Sequence, residues 1–386
     1  GFIFGSAISL QESKPMIVTG QLTDELGTNL SFRNIRVNYE MVNSPMGPVA
    51  CYDGITDFDG KYEITCPLSD VMAGKAKVTV TYSAWDNNDA YRYQNKTVQT
   101  EFAVFSNSTL KITEVGPFKS SVETYVSPTN GTAFQVLYLK EQFHVDAVLT
   151  QANGQPVGGK CLNIYLDPQK NIRPLSKIST RDSDGKVEWF SGDRDQNPTL
   201  KGVETTGGEL EGFRLLRVAF EPDVQVPGGC EKDPSKVLNG SYHDMWVLVR
   251  SRVDLSVKTS WLAVGANGLD TNDDVFGEVA LLRDRLDLAV ENQEVYFIRE
   301  YWDSESNEWI VEGRNESFTT EQGIASFTWK FTGKTCAGET CSGEWRIKAY
   351  YPGSTFFAEN SDNITLDIQY NKRSVSDAAS GFFTPS

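Results

Sequence analysis

The chain has 386 residues, 39% of them hydrophobic, with 32 glycines and 15 prolines. That is enough apolar material for about two to four packed domains, and it excludes collagen-like or low-complexity structure. A formal net charge of -16 argues against nucleic acid or anionic lipid as the main partner, because both repel an acidic surface.

The first ten residues, GFIFGSAISL, contain five Phe, Ile or Leu and no charge. They fall well short of the roughly 20 apolar residues that a membrane helix needs. Three readings stand for this stretch: a signal-peptide remnant, the opening strand of the adjacent domain, or a strand donated to a neighbouring subunit's sheet edge. In the third, Phe2, Ile3, Phe4, Ile8 and Leu10 form the donor-strand interface, with main-chain pairing supplying affinity and alternating side chains supplying register. The segment KPMIVTGQL already offers the next domain a first strand, so the donated strand is the leading reading.

Beyond residue 13 the pattern is period-two alternation broken by Gly, Asn, Asp and Pro, as in KVTVTY, TEFAVF, CLNIYL and WRIKAY; this predicts an all-β chain. The same order of segments recurs three times. MIVTGQLTDELGTNLSFRNIRVNYEM, FHVDAVLTQANGQPVGGKCLNIYLDP and VFGEVALLRDRLDLAVENQEVYFIRE each read as strand, polar turn, strand. Each is followed by a Thr and a polar turn closing on glycine: TDFDGKYEI at Gly60, TRDSDGKVEWF at Gly185 and TTEQGIASF at Gly323. A long strand and a closing strand complete each unit, the arrangement of tandem β-sandwiches. The predicted layout is an N-terminal strand (1–13), domains at 14–106, 107–252 and 253–369, and a tail (370–386) that could lie along another subunit. The second domain carries long insertions near 191–212 and 222–243.

The V-x-G-x-L-x-D pattern followed by T-D-x-D-G-K-Y in the first unit resembles the immunoglobulin-like and prealbumin-like modules of prokaryotic surface proteins. IKAYYPGSTFFAENSDNITLDIQY in the third is similar to the closing strands of Big-type immunoglobulin-like repeats in bacteria and archaea. The resemblance implies three immunoglobulin-like β-sandwiches displayed outside the cell, and no specific function, since such modules serve adhesins, surface layers and filaments alike.

Six cysteines fall into one pair per unit: Cys51 with Cys66, Cys161 with Cys230, and Cys336 with Cys341. Their spacing fits no zinc pattern, so three disulfides in an oxidising compartment are expected. Cys51 and Cys66 are equidistant from the DFDG turn, which predicts a hairpin with the two cysteines opposite each other. Seven Asn-x-Ser/Thr signals, at Asn29, Asn95, Asn107, Asn130, Asn239, Asn315 and Asn363, exceed the roughly three or four expected by chance. They favour a secreted glycoprotein, archaeal or eukaryotic.

No nucleophile or metalloprotease motif stands beside either histidine, His144 or His243, so no catalytic residue and no enzymatic activity is expected. The DFDG and DSDG clusters (Asp57, Asp59, Asp182, Asp184) read as turn chemistry. DTNDD, with Asp270, Asn272, Asp273 and Asp274, could hold calcium; no other cofactor is implied. The expected protein is a structural subunit of an extracellular homopolymer: a pilus-like filament first, since no anchoring segment is seen, and a surface-layer lattice second. An adhesin binding surface glycans is the different-class alternative. It would need an exposed aromatic platform, for which Trp189, Trp261, Tyr301, Trp302 and Trp309 are the candidates.

Overall fold

The computed structural model describes residues 7–9, 15–42, 47–67, 72–118, 121–170, 172–191, 211–261, 269–270, 274–283, 286–330 and 343–369. Among these there is no helix; the fold is all-β, built of immunoglobulin-like sandwiches.

The first sandwich uses β1 (Ala7–Ser9), β2 (Met16–Gln21), β3 (Asn34–Met41), β4 (Val49–Ala50), β5 (Gly54–Ile55), β6 (Lys61–Cys66), β7 (Gly74–Tyr82) and the start of β8 (Lys96–Pro117). Strand β2 pairs only with β6, from Met16 opposite Cys66 to Gln21 opposite Lys61. Facing it is a sheet in which β8, β7, β3 and β4 lie side by side. Alternation sends Val18 and Ile64 inward from one sheet and Ile35, Val37, Val78, Val80 and Val104 from the other, all buried in one core. At about 1.5–3 kcal/mol per buried aliphatic side chain, this interleaving is the main source of the domain's stability.

Cys51 and Cys66 are bonded, with Cα atoms 4.3 Å apart, but not as facing residues of one hairpin. The two arms of the DFDG turn belong to different sheets. The arm before it pairs through β5 with β3, and the arm after it is β6, paired with β2. The bond therefore staples the two sheets of the sandwich, a link that equal spacing about a turn does not reveal.

Strand β8 runs 22 residues without interruption. Its first half pairs with β7, from Lys96 opposite Tyr82 to Val104 opposite Gly74. Its second half pairs with β11 (Phe143–Gln151), from Ser108 opposite Gln151 to Pro117 opposite Phe143. No glycine or proline occurs from Lys96 to Val115, and buried residues alternate from Phe102 to Ile112 without a break. The last strand of the first sandwich is thus also the first strand of the second, and residues 106 and 107, where the sequence suggested a boundary, lie inside it.

The second sandwich adds β9 (Thr124–Val126), β10 (Ala133–Tyr138), β12 (Cys161–Leu166), β13 (Ser176–Ser179), β14 (Lys186–Phe190), β15 (Gly212–Phe220), β16 (Leu238–Asn239) and β17 (Ser241–Arg250). One layer is β14, β11 and β8; the other runs β13, β12, β15, β17, β10, β9. The third consists of β18 (Val253–Trp261), β19 (Leu269–Asp270), β20 (Asp274–Arg283), β21 (Leu288–Ala289), β22 (Glu294–Asp303), β23 (Glu308–Phe318), β24 (Ile324–Lys330), β25 (Gly343–Tyr351) and β26 (Asn360–Gln369). Strand β20 pairs with β18, β21 and β24, and β19, β26, β25, β22 and β23 form the opposing sheet. The first two sandwiches fall in one compact unit and the third in another.

The threefold repeat extends to individual hydrogen bonds. Gly60, Gly185 and Gly323 all have a positive φ, near 70°. Their carbonyls accept from the amides of Leu22, Leu149 and Leu281 at 2.8, 3.0 and 2.8 Å. Thr56, Thr180 and Thr319 are all buried. Each donates its amide to the carbonyl of Arg33, Lys160 or Gln293, accepts the amide of the residue before that partner on its own carbonyl, and accepts the partner's amide on its Oγ1 at 2.9–3.0 Å. Even the residue before that partner matches: Phe32, Gly159 and Asn292 are all left-handed.

The glycine is required by space as well as by φ. A Cβ on Gly185 would sit 2.5 Å from the carbonyl oxygen of Leu149, whereas one on Gly154, also at positive φ, would meet nothing within 4 Å. Gly154→Ala should therefore cost only the left-handed strain, about 1–2 kcal/mol. Gly185→Ala adds overpacking against backbone and should cost about 2–5 kcal/mol. Equilibrium unfolding of the two variants measures the difference; equal losses would contradict this account of the turn.

Candidate functional site

The N-terminal strand is the first site to place. Ala7, Ile8 and Ser9 run parallel to β8, in register with Ala103, Val104 and Phe105. Ala103 and Val104 are held on their other edge by β7. In the third sandwich β19 lies beside β26 in the same parallel fashion, Leu269 with Ile368 and Asp270 with Gln369. Within a single chain, then, the segment sits where an opening strand of its own domain would sit. Of the donor-strand residues only Ile8 is among those described; Phe2, Ile3, Phe4 and Leu10 lie outside them.

All seven Asn-x-Ser/Thr asparagines are exposed, as a bulky modification requires. Asn107 and Asn239 form a special pair. They are directly opposite on β8 and β16, which run parallel, and Nδ2 of Asn239 donates to Oδ1 of Asn107 at 2.6 Å. The Ser108 hydroxyl donates to the carbonyl of Asn239 at 2.7 Å. It also lies 2.6 Å from the hydroxyl of Ser241, the third residue of the second signal. Two signals 132 residues apart in sequence are thus one interlocked patch.

Cys161 and Cys230 are bonded, Cα atoms 5.8 Å apart, closing a 69-residue span; the Cys336 and Cys341 pair lies outside the described residues. The second bond clips the 222–243 insertion to the start of β12. Asn163, fully buried, completes the clip. Its Oδ1 accepts the amide of Cys230 at 2.8 Å, and its Nδ2 donates to Glu221 at 2.8 Å. The Tyr165 hydroxyl donates to the same Glu221 oxygen at 2.7 Å. Burial and the Glu221 carboxylate together push the Tyr165 hydroxyl well above its ordinary pKa. Nearby, burial pushes the Asp233 carboxyl up. The Lys160 ammonium at 2.5 Å and the Ser235 hydroxyl and amide outweigh that and hold it below its ordinary value.

Of the aromatic candidates, four pack against other rings. The half-buried Trp189 packs edge-on against buried Phe143, half-buried Tyr301 at a tilt against buried Trp345, and Trp302 edge-on against Trp309, both half-buried; the side chain of Trp261 is not among those described. These pairs cement strands. The most exposed aromatics among the described residues are Phe58, Trp85 and Tyr91, each at least 75% exposed, with Phe32 edge-on to Phe58 at 4.7 Å. The 83–95 loop is tied to the Phe32 end of the first sandwich by Asn87, which bonds both main-chain groups of Asn34, and by the Arg33–Asp89 ion pair. A second set lies on the outer face of the second sandwich. There Phe134 and Phe213 pack at a tilt with centroids 4.7 Å apart, Arg217 covers Tyr242, and Trp246 is exposed. Only position on a loop or an outer face separates these from the cementing pairs.

Asp57 accepts the amides of Asp59 and Lys61 on one oxygen, both at 2.8 Å, and Asp184 accepts that of Lys186 while pairing with Arg181. Both act as turn residues. Of the DTNDD cluster, Asn272 and Asp273 lie outside the described residues; Asp270 ends β19 and Asp274 begins β20. His243 is half-buried on β17. His144, on β11, reaches Glu114 of β8 at 3.3 Å.

No family model matches the chain, and no curated protein matches it. Among solved structures, it is similar over 94% of its length to invasin, a bacterial integrin-binding protein, at 12% identity and a TM-score of 0.38, spanning 59% of that chain. It is similar at 11% identity and a TM-score of 0.38 to the Escherichia coli adhesin FdeC, covering 94% of each chain. It also spans 22% of the E. coli alpha-2-macroglobulin chain, at 13% identity and a TM-score of 0.21. Likenesses this distant carry no argument about what the chain binds.

Two expectations follow from this geometry. Asn163→Ala leaves the Cys230 amide and Glu221 without their buried partner and should lower stability by about 1–3 kcal/mol, read by denaturant unfolding; an unchanged midpoint would show the insertion is held by the disulfide alone. The second concerns Asn107 and Asn239, which stand on neighbouring strands about 4.8 Å apart, too close for two glycans rooted side by side. Where these signals carry sugar, intact glycopeptide mapping should find it on one of the two per chain; sugar on both in a single chain would contradict this crowding.

Proposed function

We propose that the chain is a structural subunit of an extracellular assembly, a pilus-like filament or thread in which the N-terminal strand of one copy completes the sheet of the next. The observation that carries this is the short parallel pairing of Ala7–Ser9 with the edge of β8 at residues 103–105. The same hydrogen bonds can be made by the chain's own strand or by the identical strand of a neighbour. Exchange therefore conserves every contact, which is why strand swapping is a low-cost route to association. An apolar segment added to an open edge is also the β-augmentation mode of recognition.

Other features support an exported subunit. Two disulfides link the sandwiches internally, as befits an oxidising compartment. The seven exposed asparagine signals favour a glycosylated surface protein of archaeal type. The long unbroken β8 gives the first two sandwiches one shared strand. A surface-layer lattice would use the same features. An adhesin is the second reading, supported by the exposed Phe58, Trp85 and Tyr91 at one end of the first sandwich, since aromatic faces stack on sugar rings and on partner side chains alike.

Cysteines at Ala7 and Ala103, in register, test the strand. If it is exchanged, Ala7→Cys with Ala103→Cys gives a disulfide-linked ladder on non-reducing gels of assembled material. Deleting residues 1–10 abolishes assembly while the sandwiches stay folded. A cross-link confined to monomers in assembled material overturns strand exchange and leaves the adhesin reading standing.

A further inference from the structure

We propose that Glu114, His144 and Asp146 form a binding site for a divalent transition-metal ion, of which Zn²⁺ fits the donor set best. One ligand atom from each, an imidazole nitrogen and two carboxylate oxygens, lies within 4.8 Å of the other two. The Nε2 of His144 and Oε1 of Glu114 are 3.3 Å apart. Two ligand atoms bound tetrahedrally to zinc at its usual bond lengths stand roughly 3.3 Å apart, so this edge of the coordination sphere is already formed. Closing the rest needs only rotation of carboxylates on an outer sheet face.

Backbone features place these groups together. His144 and Asp146 are two apart on β11 and share its outer face, and Asp146 is in register with Glu114 on β8. The ladder then shifts. Asp146 faces Glu114 but Ala147 faces Ile112, so Thr113 is an extra residue on β8. Because of this bulge both Thr113 and Glu114 point outward, between the buried Ile112 and Val115. Bulges of this kind re-aim a side chain. Opposite His144 stands Gly116, where a Cβ would come within 3.2 Å of the imidazole; its lack of a side chain makes room for the ring.

The charge around the site also calls for a cation. On the far side of β11, Asp146 is in register with Glu188 of β14. Three carboxylates therefore stand in a row across three strands, and like charges directly opposite one another destabilise a sheet. Arg181 reaches Glu188 at 3.3 Å but divides its charge with Asp184. A divalent ion held by Glu114, His144 and Asp146, with Glu188 or water in the fourth position, removes that repulsion. The imidazole selects against calcium, which takes oxygen ligands, and for zinc and its neighbours.

The test is calorimetric titration of chelator-treated full-length protein with ZnCl₂. One equivalent should bind, with a raised melting temperature. His144→Ala and Glu114→Gln should each weaken binding at least tenfold. His243→Ala, which removes the chain's other histidine, should leave it unchanged. Glu114 is half-exposed, so its variant keeps the test valid if the His144 variant folds poorly. Absence of zinc binding, binding of wild-type strength in both site variants, or displacement of zinc by an equal concentration of CaCl₂ would each overturn the proposal.

Discussion

The molecule depends on one small arrangement made three times: a leucine amide bonded to the carbonyl of a left-handed glycine, beside a buried threonine that ties the turn to the next strand. The glycine carbonyl of Gly60, Gly185 or Gly323 faces inward because φ is positive, and only glycine adopts that φ with backbone packed against its α-carbon. The threonine hydroxyl satisfies an amide that the irregular backbone before the strand would otherwise bury unpaired. This junction fixes where the chain leaves one sheet and enters the other. The interleaved cores follow, because register decides which alternate residues face inward.

The second organising feature is β8. A strand that ends one sandwich and begins the next leaves no linker between them, and its alternating burial means both cores grip the same backbone. The edge of β8 at residues 103–105 is also where β1 attaches, so the strand shared by the first two sandwiches carries the proposed joint as well. On the second sandwich β8 carries Glu114, re-aimed by a bulge, and Asn107, locked to Asn239. One element thus touches the proposed joint, the Asn107–Asn239 pair and the proposed metal site.

Polar groups hold the variable parts. The insertion is clipped by Cys161–Cys230, and Asn163 of β12 accepts the Cys230 amide that it brings to the interior, while Asn163 and Tyr165 together bond Glu221. Such buried polar contacts contribute modest net stability when satisfied and cost more when broken.

The amino-acid sequence by itself determined the all-β class, the threefold order of segments, the two disulfide partners seen here and the surface position of all seven asparagine signals. These follow from the residues themselves: period-two alternation, a glycine after a polar turn, and the polarity of asparagine, which favours solvent. Tertiary structure alone decided the rest. The arms flanking DFDG look like one hairpin in sequence but belong to two sheets, because strand partners are chosen by core packing between distant segments. Trp302 and Trp309, seven residues apart, face each other across β22 and β23, while Trp85 and Tyr91 are exposed on a loop pinned by Asn87. Glu114 and His144 are 30 residues apart, and only the pairing of β8 with β11, with its one-residue bulge, brings their side chains to a single point.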